Sequence, residues 1–426
     1  MRVLLIAANT ELMNMPVLPL GLGCIAGATQ QAGHDIRLLN LMAREDAREV
    51  LAASLKDFQP EVVGISVRNI DDQVMAAPKF LLEPVKAIVS YCRSLVDCPI
   101  VIGGAGYSIF PQSALDYLGA DMGIQGQGER AFVLLLQRLE QGEDLAGIPG
   151  LHLPGKGLQG KTNLIFNLDD FPLPLPGVHL SAPDNLEDQP IWLPFQTRRG
   201  CPMKCTYCST PVIEGHVLRR RDPQRVIDSL CGYVAAGFSR FFIVDNVFNL
   251  PPAYAKRICE GILKSNLKIQ WRCILYPWKV DEELIKLMAL AGCEEVSLGF
   301  ESGSPRIIKS MNKRYQPDEV RHICTLLKKY GIQTMGFLLL GGPGEDKETI
   351  TESLVFAESL KIAAMRITIG IRIYPFTPLA AQAVEDGMVR GDDDLLFPRF
   401  YMADDLKTWA MEIVKGWMKD RLNWFM

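Results

Sequence analysis

The chain has 426 residues, a formal net charge of −4 and 48% hydrophobic content, figures that suit an ordinary globular protein of two or three domains. That balance carries no nucleic-acid signal, and no apolar run reaches the roughly 20 residues of a membrane span. Eleven cysteines in a chain this long do not describe a disulfide scaffold, so a cytoplasmic, reducing location is expected.

Residues 1–145 alternate apolar β runs with helices. Strands are expected at Arg2–Ala7, Asp35–Leu39, Glu61–Val67, Pro99–Gly103 and Met122–Gln125, and helices at Leu20–Ala32, Arg44–Asp57, Pro84–Leu95, Pro111–Leu118 and Glu129–Gln141. The pattern predicts a five-stranded, doubly wound parallel sheet of the Rossmann or flavodoxin-like type. Such sheets bind ligands beyond the carboxyl ends of their strands. Here those ends are small or polar: Asn9 and Thr10, then Ser66-Val67-Arg68-Asn69, Gly103-Gly104, and Gln125-Gly126-Gln-Gly128-Glu129. No G-x-G-x-x-G follows the first strand, so a nicotinamide cofactor is not expected. A cofactor-free response-regulator-like module is an alternative.

Residues 146–190 are rich in proline and glycine and read as a packed linker, with a short hairpin around Leu151–Phe166. From residue 191 to 380 the βα alternation resumes, with strands at Trp192–Gln196, Arg240–Asp245, Ile269–Leu275, Glu294–Gly299, Gln333–Leu340 and Arg366–Tyr374. Six βα steps are too few for a (β/α)₈ barrel and predict a six-stranded partial barrel of the TIM type, with its site at the strand ends.

The first of those strand ends is Arg199-Gly-Cys-Pro-Met-Lys-Cys-Thr-Tyr-Cys208, a C-x₃-C-x₂-C array of Cys201, Cys205 and Cys208. Three thiolates at this spacing can hold three corners of a [4Fe–4S] cluster and leave one iron open. A zinc site completed by His216, or three unrelated thiols, is the competing reading. The remaining eight cysteines read as buried core thiols. Other strand ends carry Asp245, which is also a natural helix cap, and Glu301-Ser302-Gly-Ser304. Arg272 lies inside an apolar strand and needs a carboxylate partner, from substrate or protein. Gly336 to Glu345 forms a glycine-rich end that lacks the Gly-Lys-Ser/Thr of a phosphate loop.

The cysteine loop with Gly-Phe-Glu301-Ser-Gly-Ser resembles the radical SAM enzymes. Pro19-Leu-Gly-Leu-Gly23, Val62-Val-Gly-Ile-Ser66 and Gln125-Gly-Gln-Gly-Glu129 look like the cobalamin-binding domain that precedes many of them. The resemblance implies a cluster on Cys201, Cys205 and Cys208. It implies S-adenosylmethionine held by Tyr207, Asp245, Arg272, Glu301, Ser302, Gly336 and Leu338. It also implies cobalamin against Asn9, Thr10, Ser66, Val67, Arg68, Asn69, Gly103, Gly104, Gln125, Gly126, Gly128 and Glu129. The D-x-H-x-x-G motif that supplies an axial histidine is absent, and His34 reads as a turn residue. The family run at Ile371–Ala380 has glycine where this chain has Phe376.

The implied activity is reductive cleavage of S-adenosylmethionine to a 5′-deoxyadenosyl radical, with cobalamin-mediated methyl transfer to an unactivated carbon of a small-molecule or lipid-like substrate. A flavodoxin- or ferredoxin-type electron donor would be required. Cobalamin-dependent ring formation or rearrangement, and a non-enzymatic iron–sulfur or zinc protein, are the alternatives. Residues 381–426 form a tail whose helix, Leu406–Trp424, has a one-sided apolar face. That face is expected to dock across the open side of the barrel, with peripheral membrane contact as the alternative.

Overall fold

The computed structural model describes residues 1–10, 18–164, 166–171, 173–180 and 191–426; the linker residues 181–190 lie outside the described set. Contacts divide it into two compact units. One comprises Met1–Asp72, Lys79–Leu193 and Thr210–Gly215, and the other Gln73–Pro78, Pro194–Ser209 and His216–Met426.

The first unit is built from β1 (Arg2–Ala7), α1 (Leu20–Gln31), β2 (Asp35–Asn40), α2 (Ala47–Phe58), β3 (Val62–Ser66), α3 (Leu82–Leu95) and β4 (Ile100–Gly103). It continues with the short α4 (Ala105–Ile109), α5 (Pro111–Leu118), β5 (Met122–Ile124), α6 (Gly128–Gln141), β6 (Leu151–Leu153) and β7 (Gly157–Leu158). The sheet order is β2-β1-β3-β4-β5-β6-β7. The first five strands are parallel, and β6 and β7 add an antiparallel hairpin at the β5 edge. The expected five-stranded parallel sheet is therefore present, extended to seven by linker residues. Val3, Leu4, Leu5 and Ile6 are buried on both faces, as a central parallel strand requires. β2 and β3 flank β1 on opposite sides, so the strand order reverses between β1 and β3, which places a ligand crevice at their carboxyl ends.

The second unit opens with β8 (Leu193–Phe195) and β9 (Arg198–Arg199), followed by β10 (Arg219–Arg220), α8 (Pro223–Ala235), β11 (Arg240–Ile243), α9 (Pro252–Lys264) and β12 (Gln270–Leu275). The short α7 (Thr210–Glu214) lies between β9 and β10 in sequence and belongs to the first unit. Next come α10 (Glu282–Leu290), β13 (Cys293–Glu301), α11 (Pro305–Ser310), α12 (Pro317–Lys329), β14 (Gln333–Leu340), α13 (Lys347–Ser359) and β15 (Ala364–Ile369). The chain finishes with β16 (Ile371–Arg372), α14 (Pro378–Glu385), β17 (Phe400–Tyr401), α15 (Asp404–Met418) and β18 (Trp424–Phe425).

Its main sheet runs β18-β15-β14-β13-β12-β11-β8, with each recorded main-sheet pairing parallel. These are the six expected βα strands plus one from the tail. Alternation along the strands separates two faces. Trp271, Phe300 and Met365 are fully buried, and Phe300 meets Phe356 of α13 edge-on, which marks the helix side. Phe242, Arg272, Glu295, Met335, Phe337 and Arg366 take the opposite, partly exposed face and line the interior. Asp222, Asp281 and Asp346 cap α8, α10 and α13 through their side chains, which fixes where the helices start.

The tail departs from its expectation. Its helix stops at Met418, and Trp424–Phe425 returns as a strand on Met365–Arg366. Trp417 and Trp424 stack at 6.0 Å, and Asn423 Nδ2 donates to the carbonyls of Ile362 and Ala363. The helix itself packs against α13 in the outer layer, so it does not line the interior.

Candidate active site

The cysteine loop is held from three directions. At its base, Arg199 pairs with Arg219 and Arg198 with Arg220 in the β9–β10 ladder. At its crown, Thr206 N donates to Met311 O at 3.2 Å and Asn312 Nδ2 to Lys204 O at 2.6 Å. Leu379 N, at the start of α14, donates to Thr206 O at 3.0 Å. Burial pushes the Cys201 thiol up to about 11 and raises that of Cys205, and the neighbouring cysteines raise Cys201 further. Lys313 pulls both down and donates to Cys205.

Lys313 went unnoticed in the sequence. Its Nζ donates to the Tyr207 hydroxyl at 2.8 Å and lies 3.3 Å from Glu301 Oε1, while the Tyr207 hydroxyl donates to the same oxygen at 2.9 Å. Burial alone would lower the Lys313 ammonium, but Tyr207, Glu301 and their neighbours hold it above its ordinary value. Burial likewise raises the Tyr207 phenol. Glu301 has a left-handed φ of 61°, which turns it off the end of β13 toward the loop. Cys205, Tyr207, Glu301 and Lys313 thus form one polar cluster at the strand ends.

Other expected contacts are corrected. Asp245 is fully buried, and its carboxylate accepts from Thr197 N (2.7 Å), Thr197 Oγ1, Arg198 N (3.2 Å) and Arg198 Nε (3.0 Å). Burial pushes its pKa up, against the pull of Arg198 and Thr197. Its side chain is committed to the strand that leads into the loop and is not a ligand group. Ser302 is also fully buried: its hydroxyl meets Ser353 at 2.8 Å and accepts from Ser304 N, so it shapes a turn. Leu338 is buried on the helix side, and a Cβ on Gly336 would strike Ile362, Phe300 and Met365. Only their backbone could serve a ligand; Met335, Phe337 and Leu339 are the interior side chains of β14. Arg272 finds its carboxylate within the protein, Glu295 at 3.9 Å, and lies over the Phe242 ring.

At the strand ends of the first unit, Asn9, Thr10, Ser66, Val67, Arg68 and Asn69 border one recess. Ser66 is in register with Gly103. Gly104, at φ 106°, lies so close that a Cβ would come within 2.5 Å of Val67 O. Ser108, missed in the sequence, ties the next loop in: its hydroxyl donates to Gly104 O at 2.7 Å and accepts from Gly126 N at 2.9 Å. Gln125 Nε2 donates to Ser108 O at 3.4 Å. Gly126 itself is open-faced, with nothing nearer than 3.9 Å to a Cβ placed there.

Three residues expected against the cofactor turn inward instead. Val67 is buried, with its N–H bonded to Gly103 O and its carbonyl to Gly106 N. Gly128 packs on Ile25, and Glu129 is buried. His34 lies at the amino edge of the sheet beside the Met1 amino group, His152 meets Gln125 and His179 meets Gln30, so among the described residues no histidine is aimed from these loops.

The residues fit the groups the sequence implies. Among the described residues, no three His, Cys, Asp or Glu side chains gather as a single ion's ligands. The donor set of the loop is instead three thiols in one pinned turn, suited to a multinuclear cluster. The first unit offers a recess at its strand ends and the open face of Gly126, which suit a flat cofactor. Of the other eight cysteines, Cys98 and Cys231 are only partly buried, contrary to expectation; the other six are buried, and all are free.

Family comparisons agree with both halves. The Radical SAM superfamily model matches residues 196–357 and the B12 binding domain model residues 12–136. The chain is a cobalamin-binding radical SAM enzyme. Such an enzyme requires an iron–sulfur cluster, S-adenosylmethionine and cobalamin.

Among its relatives, an uncharacterized methyltransferase of Pyrococcus horikoshii is 27% identical, over 91% of this chain and 84% of the relative. The tryptophan 2-C-methyltransferase of Streptomyces laurentii is 25% identical, over 90% and 75%. The structure of the methyltransferase TsrM from Kitasatospora setae, with cobalamin and a [4Fe–4S] cluster bound, superposes with a TM-score of 0.88. It is 22% identical and covers 100% of this chain and 90% of that one, which establishes the fold. No helix among the described residues is long and apolar enough to cross a membrane.

Proposed function

We propose that this radical SAM enzyme methylates an unactivated carbon of a small-molecule substrate held inside the partial barrel. One observation carries the reading: a pinned three-cysteine loop at the strand ends of the barrel and a parallel sheet matched by the B12 binding domain model occur in the same chain. The names of relatives that methylate carbon support it. When bound, the cluster and S-adenosylmethionine supply the 5′-deoxyadenosyl radical and the corrinoid supplies the methyl group.

The chain's own residues bind and orient. Residues 1–145 serve as the corrinoid module, 191–380 as the radical module and 381–426 as its tail, with 146–190 linking them. Cys201, Cys205 and Cys208 hold the iron. Glu301 and Tyr207 meet the nucleoside, and Lys313 supplies a cation beside them, 3.3 Å from Glu301 Oε1. Asn9, Thr10, Ser66, Arg68, Asn69, Gly103, Gly104, Gln125 and Gly126 cradle the corrinoid. An external donor of flavodoxin or ferredoxin type feeds the cluster. A cleft of about 390 Å³ lined by Pro202, Met203, Arg220, Trp278, Lys279 and Arg314 offers such an acidic partner positive charge beside the loop.

The test is anaerobic reconstitution with iron, sulfide and hydroxocobalamin, followed by reduction in the presence of S-adenosylmethionine. Release of 5′-deoxyadenosine that disappears in Cys205→Ala, while hydroxocobalamin stays bound, is the expected result. Cleavage retained by Cys205→Ala, or no corrinoid binding at micromolar concentrations, would refute it.

A further inference from the structure

Arg272 and Arg366 lie part-way along their strands on the interior face of the barrel, and their situations differ. Arg272 is balanced by Glu295 in the neighbouring strand. Arg366 lies mid-way along β15, in register with Phe337, between Met365 and Ile367, which face the helices. Its side chain therefore shares the interior face with Phe337 and, one step along each strand, with Leu339 and Thr368. Among the described residues it makes no hydrogen bond, ion pair or ring contact.

Removing a guanidinium from water without a partner is unfavourable. The protein does remove it partly: burial lowers the pKa of Arg366, and no acidic neighbour offsets this. Thr368 is uncharged, and the nearest interior neighbours on β14, Met335, Phe337 and Leu339, are apolar. An aliphatic stem lying on apolar surface with its head in water would account for one such side chain. The alternative is that the missing counter-charge arrives with a ligand.

We propose that Arg366 is the specificity-determining residue of the substrate space, and that the substrate is an apolar molecule bearing one carboxylate, gripped by this guanidinium. A carboxylate fits better than a phosphate dianion, because Arg272, the other of these two interior cations, is already neutralised by Glu295. The planar fork of arginine pairs with a carboxylate through two parallel hydrogen bonds. The inference rests on the barrel interior being the substrate space, as proposed above.

The test uses the reconstituted holoenzyme and three matched probe pairs: indole-3-acetate, phenylacetate and hexanoate, each against its own carboxamide, with binding followed by ligand-observed NMR. At least one acid should bind roughly tenfold or more tightly than its amide, the size of a charge-assisted hydrogen bond. Arg366→Met should bring that ratio to near one, and Arg366→Lys should restore part of it. Cluster absorbance, circular dichroism and S-adenosylmethionine affinity should not change. A ratio that Arg366→Met leaves intact, or no acid preferred over its amide, overturns the proposal. So does loss of S-adenosylmethionine affinity in Arg366→Met, which would assign the guanidinium to the methionyl carboxylate. Cleavage of S-adenosylmethionine, measured on the same samples, reports separately on the proposed function.

Discussion

Replacing Asp245 by asparagine removes the only charge, among the described residues, that neutralises Arg198 within hydrogen-bonding distance at the base of the cysteine loop. Both residues are essentially sealed from solvent, at 0% and 1% exposure. The carboxylate accepts from two backbone N–H groups, one hydroxyl and the guanidinium Nε. Arg198 Nη1 additionally donates to Leu250 O at 2.6 Å, and the guanidinium lies over the Tyr254 ring at 4.5 Å. Asparagine keeps the shape but leaves the cation buried and points an amide N–H₂ at a donor. Breaking a buried pair from one side costs about 3–5 kcal/mol. At about 2–4 °C per kcal/mol for a domain of this size, the melting temperature of the second unit should fall by roughly 6–20 °C. Thermal unfolding of the iron-free protein by circular dichroism gives the shift. Iron content after reconstitution then shows whether the loop still assembles. The variant should load less iron, because Thr197 and Arg198 lead directly into the loop. A fall below about 2 °C with full iron loading would refute the reasoning, since the pair would then not anchor the loop.

Three further outcomes are expected. Glu345 is buried, accepts from the Gly341 and Gly342 N–H groups, and has its pKa raised to about 7 by burial. Its folded state holds the proton more tightly than the unfolded chain, so its contribution is full below about 4.5 and is lost as pH rises through about 7; denaturant unfolding of wild type should weaken over that window, and Glu345→Gln should flatten the dependence. Gly104→Ala adds a Cβ against Val67 O at a φ of 106°, which should weaken hydroxocobalamin binding roughly tenfold or more, by equilibrium dialysis, with iron content unchanged. Phe376 is 82% exposed at a φ of 61°, so Phe376→Gly should gain about 1 kcal/mol in thermal or denaturant unfolding.

That last residue shows how sequence and structure share the explanation. A phenylalanine at a glycine position is visible in the chain, but its solvent-facing ring and left-handed backbone are set by the turn after β16. The strands and most helices could be read from periodicity, because parallel strands buried on both faces leave continuous apolar runs and caps such as Asp222 and Asp346 mark starts. Lys313 could not be read: in Met311-Asn-Lys-Arg314 it looks like a solvated turn, and only the folding of that turn against the cysteine loop makes it a site residue. Asp245 fails for the opposite reason, since a carboxylate at a strand end gives no hint of whether it faces a ligand or the chain's own N–H groups. The end of the last helix was overrun because Trp424 continues its apolar spacing, while the strand that captures it, β15, lies far away in sequence.

The Arg198–Asp245 pair also constrains how this sequence can drift. A lineage that loses either partner first passes through a form with a stranded charge under its cysteine loop, and selection would remove most such forms. The two positions are therefore free to change only together, as by a swap to a well-packed apolar pair, which removes both charges without leaving one exposed to the cost. Homologues should accordingly carry both members or neither, and a chain with only one would have to supply a replacement counter-charge from another strand.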